Sequence, residues 1–168
     1  MTALNMYAVS APVFVRMLNN LSAMLAKGEA HAKTKNFDCA ALLNSRLAPD
    51  MFTLTKQVQI ATDHAKGAMA RLAGHQIEAI EDKETTVAEL QARIKKVIGI
   101  VESYKEADLA GAENREITIK IPTTELKFDG LSYLEGWAMP NFYFHVTMAY
   151  AILRHNGVDL GKRDFLMS

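Results

Sequence analysis

Two polar residues stand four positions apart in an otherwise apolar segment near the end of the chain, where Asn141 and His145 interrupt the sequence PNFYFHVTMAYAIL. At about 100° of rotation per residue, an α-helix places both side chains on one face, together with Met148 and Ile152. That face is expected to point into a core. Histidine is the side chain best suited to metal binding or proton transfer near neutral pH. The spacing therefore indicates a polar pocket, but it names no substrate.

A second inward histidine is predicted in an earlier amphipathic segment. At about 100° per residue, His64 flanks the apolar stripe of that segment, whereas Asp63 points almost opposite to that stripe. Sites in helix bundles are commonly built from inward side chains on facing helices. His64, Asn141 and His145 are therefore the candidate site residues. They could equally form a metal-free polar cluster in which Asn141 and His145 bond to each other.

Four segments with helical periodicity must position these side chains, at about 12–25, 53–73, 87–104 and 140–155. Thr86 and Glu89 form a capping-box pattern before the third segment. Alternating apolar residues on both sides of Pro122 and Thr123 predict a β-hairpin between the third and fourth segments. Pro140 predicts a break in the helical pattern. The fold class predicted is mainly α, a four-helix bundle with a small β-hairpin, in a single domain over residues 1–168.

Composition excludes several classes of function. The chain has 19 basic and 19 acidic residues, so it has no excess of positive charge with which to bind nucleic acid. A single cysteine, Cys39, excludes an internal disulfide and favours a reducing compartment. The first residues do not read as a signal peptide, and no apolar run approaches the roughly 20 residues that span a bilayer. A cytoplasmic protein with no membrane or nucleic-acid partner is expected.

Several motifs carry a resemblance over nearly the whole chain. They are Leu47-Ala48-Pro49-Asp50-Met51, Gln57-Val58-Gln59-Ile60-Ala61, the run from Pro140 to Gly157, and Leu160-Gly161-Lys162-Arg163-Asp164-Phe165. At these residues the chain resembles the DinB/YfiT-like superfamily of four-helix bundles, and in particular a bacterial branch known only as a domain of unknown function. The resemblance implies an up-down-down-up order of helices and a homodimer.

The resemblance also implies a site. Many members of the superfamily bind a divalent metal through a histidine on the second helix and a His-x-x-x-His pair on the fourth, and some transfer low-molecular-weight thiols. Carried over by position, the ligands are His64, Asn141 and His145, with Asn141 in place of the first histidine of the pair. An amide oxygen is a poorer ligand than an imidazole for Zn, Ni, Mn or Fe, so weak or absent metal binding is expected.

Two hypotheses from different classes remain open. The first is an enzyme with metal-assisted, thiol-transfer-type chemistry on a small molecule, which the two histidines favour. The second is a non-catalytic, metal-free ligand-binding or stress-associated dimer, which Asn141 favours. The interpretation adopted is an inherited metal-site pocket that is partly degraded at Asn141.

Overall fold

The computed structural model describes residues 5–167. Four long helices form the bundle and three short ones flank them: α1 (Ala11–Lys35), α2 (Ala40–Leu43), α3 (Leu54–Ala73), α4 (Val87–Ser103), α5 (Gly130–Tyr133), α6 (Met139–His155) and α7 (Lys162–Leu166). An antiparallel hairpin of β1 (Ile117–Ile121) and β2 (Thr124–Phe128) lies between α4 and α5. The predicted mainly α bundle with one hairpin is confirmed. No helix of the described residues is long and apolar enough to cross a membrane.

Local sequence determines where the long helices begin and end. The Thr53 hydroxyl accepts the backbone N–H of Lys56 at the start of α3, and Gly74 ends that helix with a left-handed φ of 72°. At the start of α4, Thr86 and Glu89 form both bonds of the predicted capping box. These contacts satisfy backbone groups that have no partner within the helix.

The extended connection from α3 to α4 reveals the order of the helices. It runs back along α3, because Asp82 pairs with Lys56 and Glu84 accepts a hydrogen bond from Gln59. The helix α4 therefore begins at the same end of the bundle as α3 and runs parallel to it. Leu153, close to the C-terminal end of α6, packs against Gly28 in the C-terminal third of α1. The order is up-down-down-up, as the resemblance implied.

One buried arginine holds this connection in place. The guanidinium of Arg93, on α4, pairs with three carboxylates, those of Asp63, Asp82 and Glu84, at 2.9–3.1 Å. It also donates to the hydroxyl of Thr62 and to the backbone carbonyl at position 81. The Arg93 side chain is only 1% exposed. The network therefore ties α3, α4 and the connection together where α3 packs on α4.

The helix break predicted at Pro140 is wrong, because the chain stays helical from Gly130 to His155. A π-helical turn over Leu134–Ala138 joins α5 to α6, and the N–H of Met139 bonds to the carbonyl of Leu134, five residues back. Proline has no N–H to offer the preceding turn, and this wider turn accommodates it within the helix. Turns of this kind occur frequently at functional sites.

Candidate functional site

His145 lies in the middle of α6 and is 8% exposed. Its Nδ1 is 2.7 Å from Oε1 of Gln57, a buried residue on α3. The amide nitrogen of Gln57 donates to the carbonyl of Phe52, so the amide oxygen is the end that faces the histidine. Because that oxygen can only accept, Nδ1 carries the proton and Nε2 carries the lone pair. One hydrogen bond thus sets the tautomer of His145.

His64, on α3, lies beside His145. The two rings are stacked, with centroids 5.7 Å apart and planes inclined by 15°. Neither nitrogen of His64 nor Nε2 of His145 makes a hydrogen bond to a described residue. Every buried side-chain nitrogen or oxygen in residues 5–167 has a hydrogen-bond partner. Because these three nitrogens have none, they are not buried and must reach solvent. The pair therefore offers accessible nitrogen lone pairs at the α3–α6 interface.

Asn141 is half-buried one turn before His145 on α6. Its amide nitrogen donates to the carbonyl of Trp137 at 2.7 Å, which leaves Oδ1 as the atom available to a ligand. The alternative in which Asn141 and His145 bond to each other is wrong, because His145 bonds to Gln57 instead. The reason is packing: Gln57 is brought against His145 from the facing helix.

Both imidazoles are neutral at neutral pH. Burial lowers the pKa of His145, and it is the largest of the causes that lower the pKa of His64 to about 4. The charge of Arg71, and that of His145 once it is protonated, contribute to this lowering of the His64 pKa, whereas Asp63 opposes it. A neutral imidazole is the form that binds a metal or accepts a proton. Protons therefore do not compete for these nitrogens near pH 7.

This arrangement predicts acid sensitivity. Unfolded His64 takes up a proton near pH 6.5, but folded His64 does so only near pH 4. We therefore expect the free energy of unfolding to fall between these two values, by up to about 3 kcal/mol, and to be fully retained above pH 6.5. Urea denaturation at several pH values measures it. The variant His64→Gln should lose most of this dependence, and equal slopes in the two proteins would contradict the assignment.

Asp63 points away from the histidines, as the sequence predicted. It pairs with Arg93 and with the buried Lys66 on the side of α3 that faces α4. The sequence interpretation missed the role of Gln57, and it also missed Arg71, whose charge acts on His64. Gln57, His64 and Arg71 recur at seven-residue intervals, which is two helical turns, so one face of α3 presents all three. That spacing was the available signal.

The donor set can be compared with the needs of a metal. No three His, Cys, Asp or Glu side chains of residues 5–167 come together as a metal-binding group. The set consists of two neutral imidazoles and the amide oxygen of Asn141. The bond from Nδ1 of His145 to an amide oxygen resembles the outer hydrogen bond that orients most metal-binding histidines. By the chemistry of these donors, the set would supply two imidazole ligands and one weak oxygen ligand.

Comparisons with known proteins agree with this fold. Residues 6–166 match the family described as "Domain of unknown function (DUF1993)". A solved structure of a DinB family member from Shewanella denitrificans is 46% identical, covers 96% of this chain and 92% of its own, and superposes with a TM-score of 0.88. No curated protein matches the chain. The chain therefore belongs to the DUF1993 family, a domain of unknown function with a DinB-like four-helix bundle.

Proposed function

We propose that His64 and His145 bind a divalent transition metal, with Asn141 as a weak third ligand, and that the pocket carries out thiol-transfer-type chemistry on a small molecule. The observation that carries this proposal is the hydrogen bond from His145 to Gln57. It holds the imidazole in the tautomer whose Nε2 faces outward, beside a second neutral histidine. Zn, Ni, Mn and Fe are the candidate metals, since imidazole suits several of them.

When bound, such a metal would lower the pKa of a thiol or a water molecule and make it nucleophilic at neutral pH. The contribution of the chain is orientation. Gln57 fixes the ring of His145 from the protein interior, and the stacked ring of His64 stands next to it. Asn141 would supply an uncharged oxygen, because its nitrogen is engaged by the backbone of α6.

Calorimetric titration of metal-free, tag-free protein with Zn²⁺ and Ni²⁺ tests this proposal. We expect one site per chain, lost in the double variant His64→Ala/His145→Ala. Gln57→Leu should weaken the affinity by about 10- to 100-fold, because it removes the group that orients a ligand. His155→Ala is the control, since this exposed histidine of α6 lies about 15 Å further along the helix. Absence of binding to the wild-type protein would reject the metal site.

The second candidate is a metal-free, non-catalytic ligand-binding or stress-associated dimer. The presence of Asn141 in place of a histidine favours it, because an amide oxygen is a poorer metal ligand than an imidazole. Two adjacent aromatic residues of α6, Tyr143 and Phe144, are 36% and 53% exposed in the single chain, and they support a homodimer packed through this helix. Sedimentation velocity of the wild-type protein and Phe144→Asp tests the dimer.

A further inference from the structure

The guanidinium of Arg71 is folded back along α3 toward the histidine pair. A Cβ atom added to Gly67 would lie 2.8 Å from Nη1 of Arg71, so the guanidinium occupies the space that a side chain at position 67 would fill. Positions 64 and 67 are neighbours on one face of a helix, with Cβ atoms about 5–6 Å apart. The positive charge of Arg71 therefore lies about one helical turn from His64.

Tyr133 holds the guanidinium there. The Tyr133 hydroxyl accepts a hydrogen bond from Nη1 of Arg71 at 3.2 Å, and the guanidinium carbon is 5.9 Å from the centre of the phenol ring. Tyr133 is itself 1% exposed, so its position is set by the core. The arginine is thus held between Gly67 and Tyr133, close to the site.

Arg71 has no anionic partner among the described residues. A guanidinium has five N–H donors, and Tyr133 is the single hydrogen-bond acceptor that residues 5–167 supply to this one. Arg93 on the neighbouring helix, by contrast, is matched by three carboxylates. The carboxylate nearest to the site in sequence, that of Asp63, is bound by Arg93 and Lys66. A half-buried cation with free donors therefore lies about one helical turn from His64.

We infer that Arg71 binds an oxyanion, a carboxylate or a phosphate, on the same small molecule that meets the His64–His145 pair. The inference deepens the proposed function and rests on the histidine pair being a ligand pocket. A guanidinium fork matches the two oxygens of such a group. Because the guanidinium of Arg71 lies about one helical turn from His64, the ligand should be a short acid. Its oxyanion would be a few bonds from the atom that contacts the imidazoles.

If Arg71 served only to support Tyr133, its loss would lower stability without changing which ligands bind. Binding selectivity separates the two roles. The probe is 3-mercaptopropionate, and its uncharged counterpart is the methyl ester of the same thiol. Calorimetry or side-chain NMR measures both affinities on metal-free protein and again after addition of Zn²⁺.

We expect the acid to bind the wild-type protein at least about tenfold more tightly than the ester, because the oxyanion forms charge-assisted hydrogen bonds. Arg71→Gln should abolish this preference for the acid over the ester, and Arg71→Lys should retain part of it. Arg163→Gln is the matched control, since Arg163 is an exposed residue of α7, which packs on α1. Competition by acetate and by inorganic phosphate distinguishes the two kinds of oxyanion.

Gly67→Ala provides a second variant that does not depend on deleting the charge. The added methyl group displaces the flexible end of Arg71, while alanine favours the helix more than glycine does. We expect a melting temperature within about 3 °C of the wild-type value and loss of the preference for the acid. A wild-type protein without the preference, or a preference that survives both Arg71→Gln and Gly67→Ala, would overturn the inference. Failure of Zn²⁺ to bind would reject only the metal site, since the measurement on metal-free protein decides the role of Arg71.

Discussion

Replacing Arg93 by methionine should lower the free energy of unfolding by about 3 kcal/mol or more. The guanidinium is almost wholly buried and is the shared partner of three carboxylates on α3 and on the connection to α4. Removing it leaves those negative charges close together and leaves the hydroxyl of Thr62 without its donor. Removing one partner from a buried ion pair is strongly destabilising. Lys56 and Lys66 still pair with Asp82 and Asp63, but Glu84, which is only 9% exposed, is left without a cation. Urea denaturation followed by circular dichroism measures the change.

Lys96→Ala provides a matched control on the same helix. Lys96 also pairs with a carboxylate of the connection, that of Glu78, but the two side chains are 52% and 51% exposed. An exposed pair of this kind contributes no more than about 1 kcal/mol. If the two variants lost similar stability, burial would not be what makes the Arg93 network matter.

Asn141→His should tighten the binding of Zn²⁺ by about 100-fold, the largest effect expected at the site. The substitution places imidazoles at positions i and i+4 of α6, a spacing at which two histidines share one face and bind one zinc ion. With His64 from α3, the set would consist of three imidazoles. Competition with a chromophoric chelator measures the affinity, and Co²⁺ absorption reports the coordination.

Thr147→His is the control for this second prediction. It also adds an imidazole to α6, but at an exposed position two residues from His145 and therefore on another face. Its affinity for Zn²⁺ should equal that of the wild-type protein. An unchanged affinity in Asn141→His would mean that the three side chains do not converge, and the proposed ligand set would be abandoned.

Local patterns were sufficient to predict much of the fold. The apolar repeats and the cap at Thr86 each act within a few residues, so they can be read without knowing the packing. The meeting of His64 and His145 could be predicted from helical geometry and from the resemblance. Their distance and stacking could not, because these depend on how far α3 is displaced along α6.

The partners of the site residues were harder to predict. Gln57 bonds to His145 across 88 positions of sequence, and Arg71 reaches Tyr133 across 62. The π-helical turn before Asn141 results from how α5 and α6 join, and a proline alone suggested a break instead. Sequence patterns describe faces of helices well, but they do not specify which side chain on the opposite helix comes into register.

Asp63 and His64 are adjacent in sequence but face two different neighbours of α3. Asp63 pairs with the buried Arg93 at the interface with α4, and His64 is stacked on His145 at the interface with α6. Successive residues of a helix are separated by a fixed angle of about 100°. The ion pair between Asp63 and Arg93 therefore sets the rotation of α3 about its own axis. The directions in which His64, Gln57 and Arg71 point therefore depend on a charge cluster at the interface with α4, away from the histidine pair.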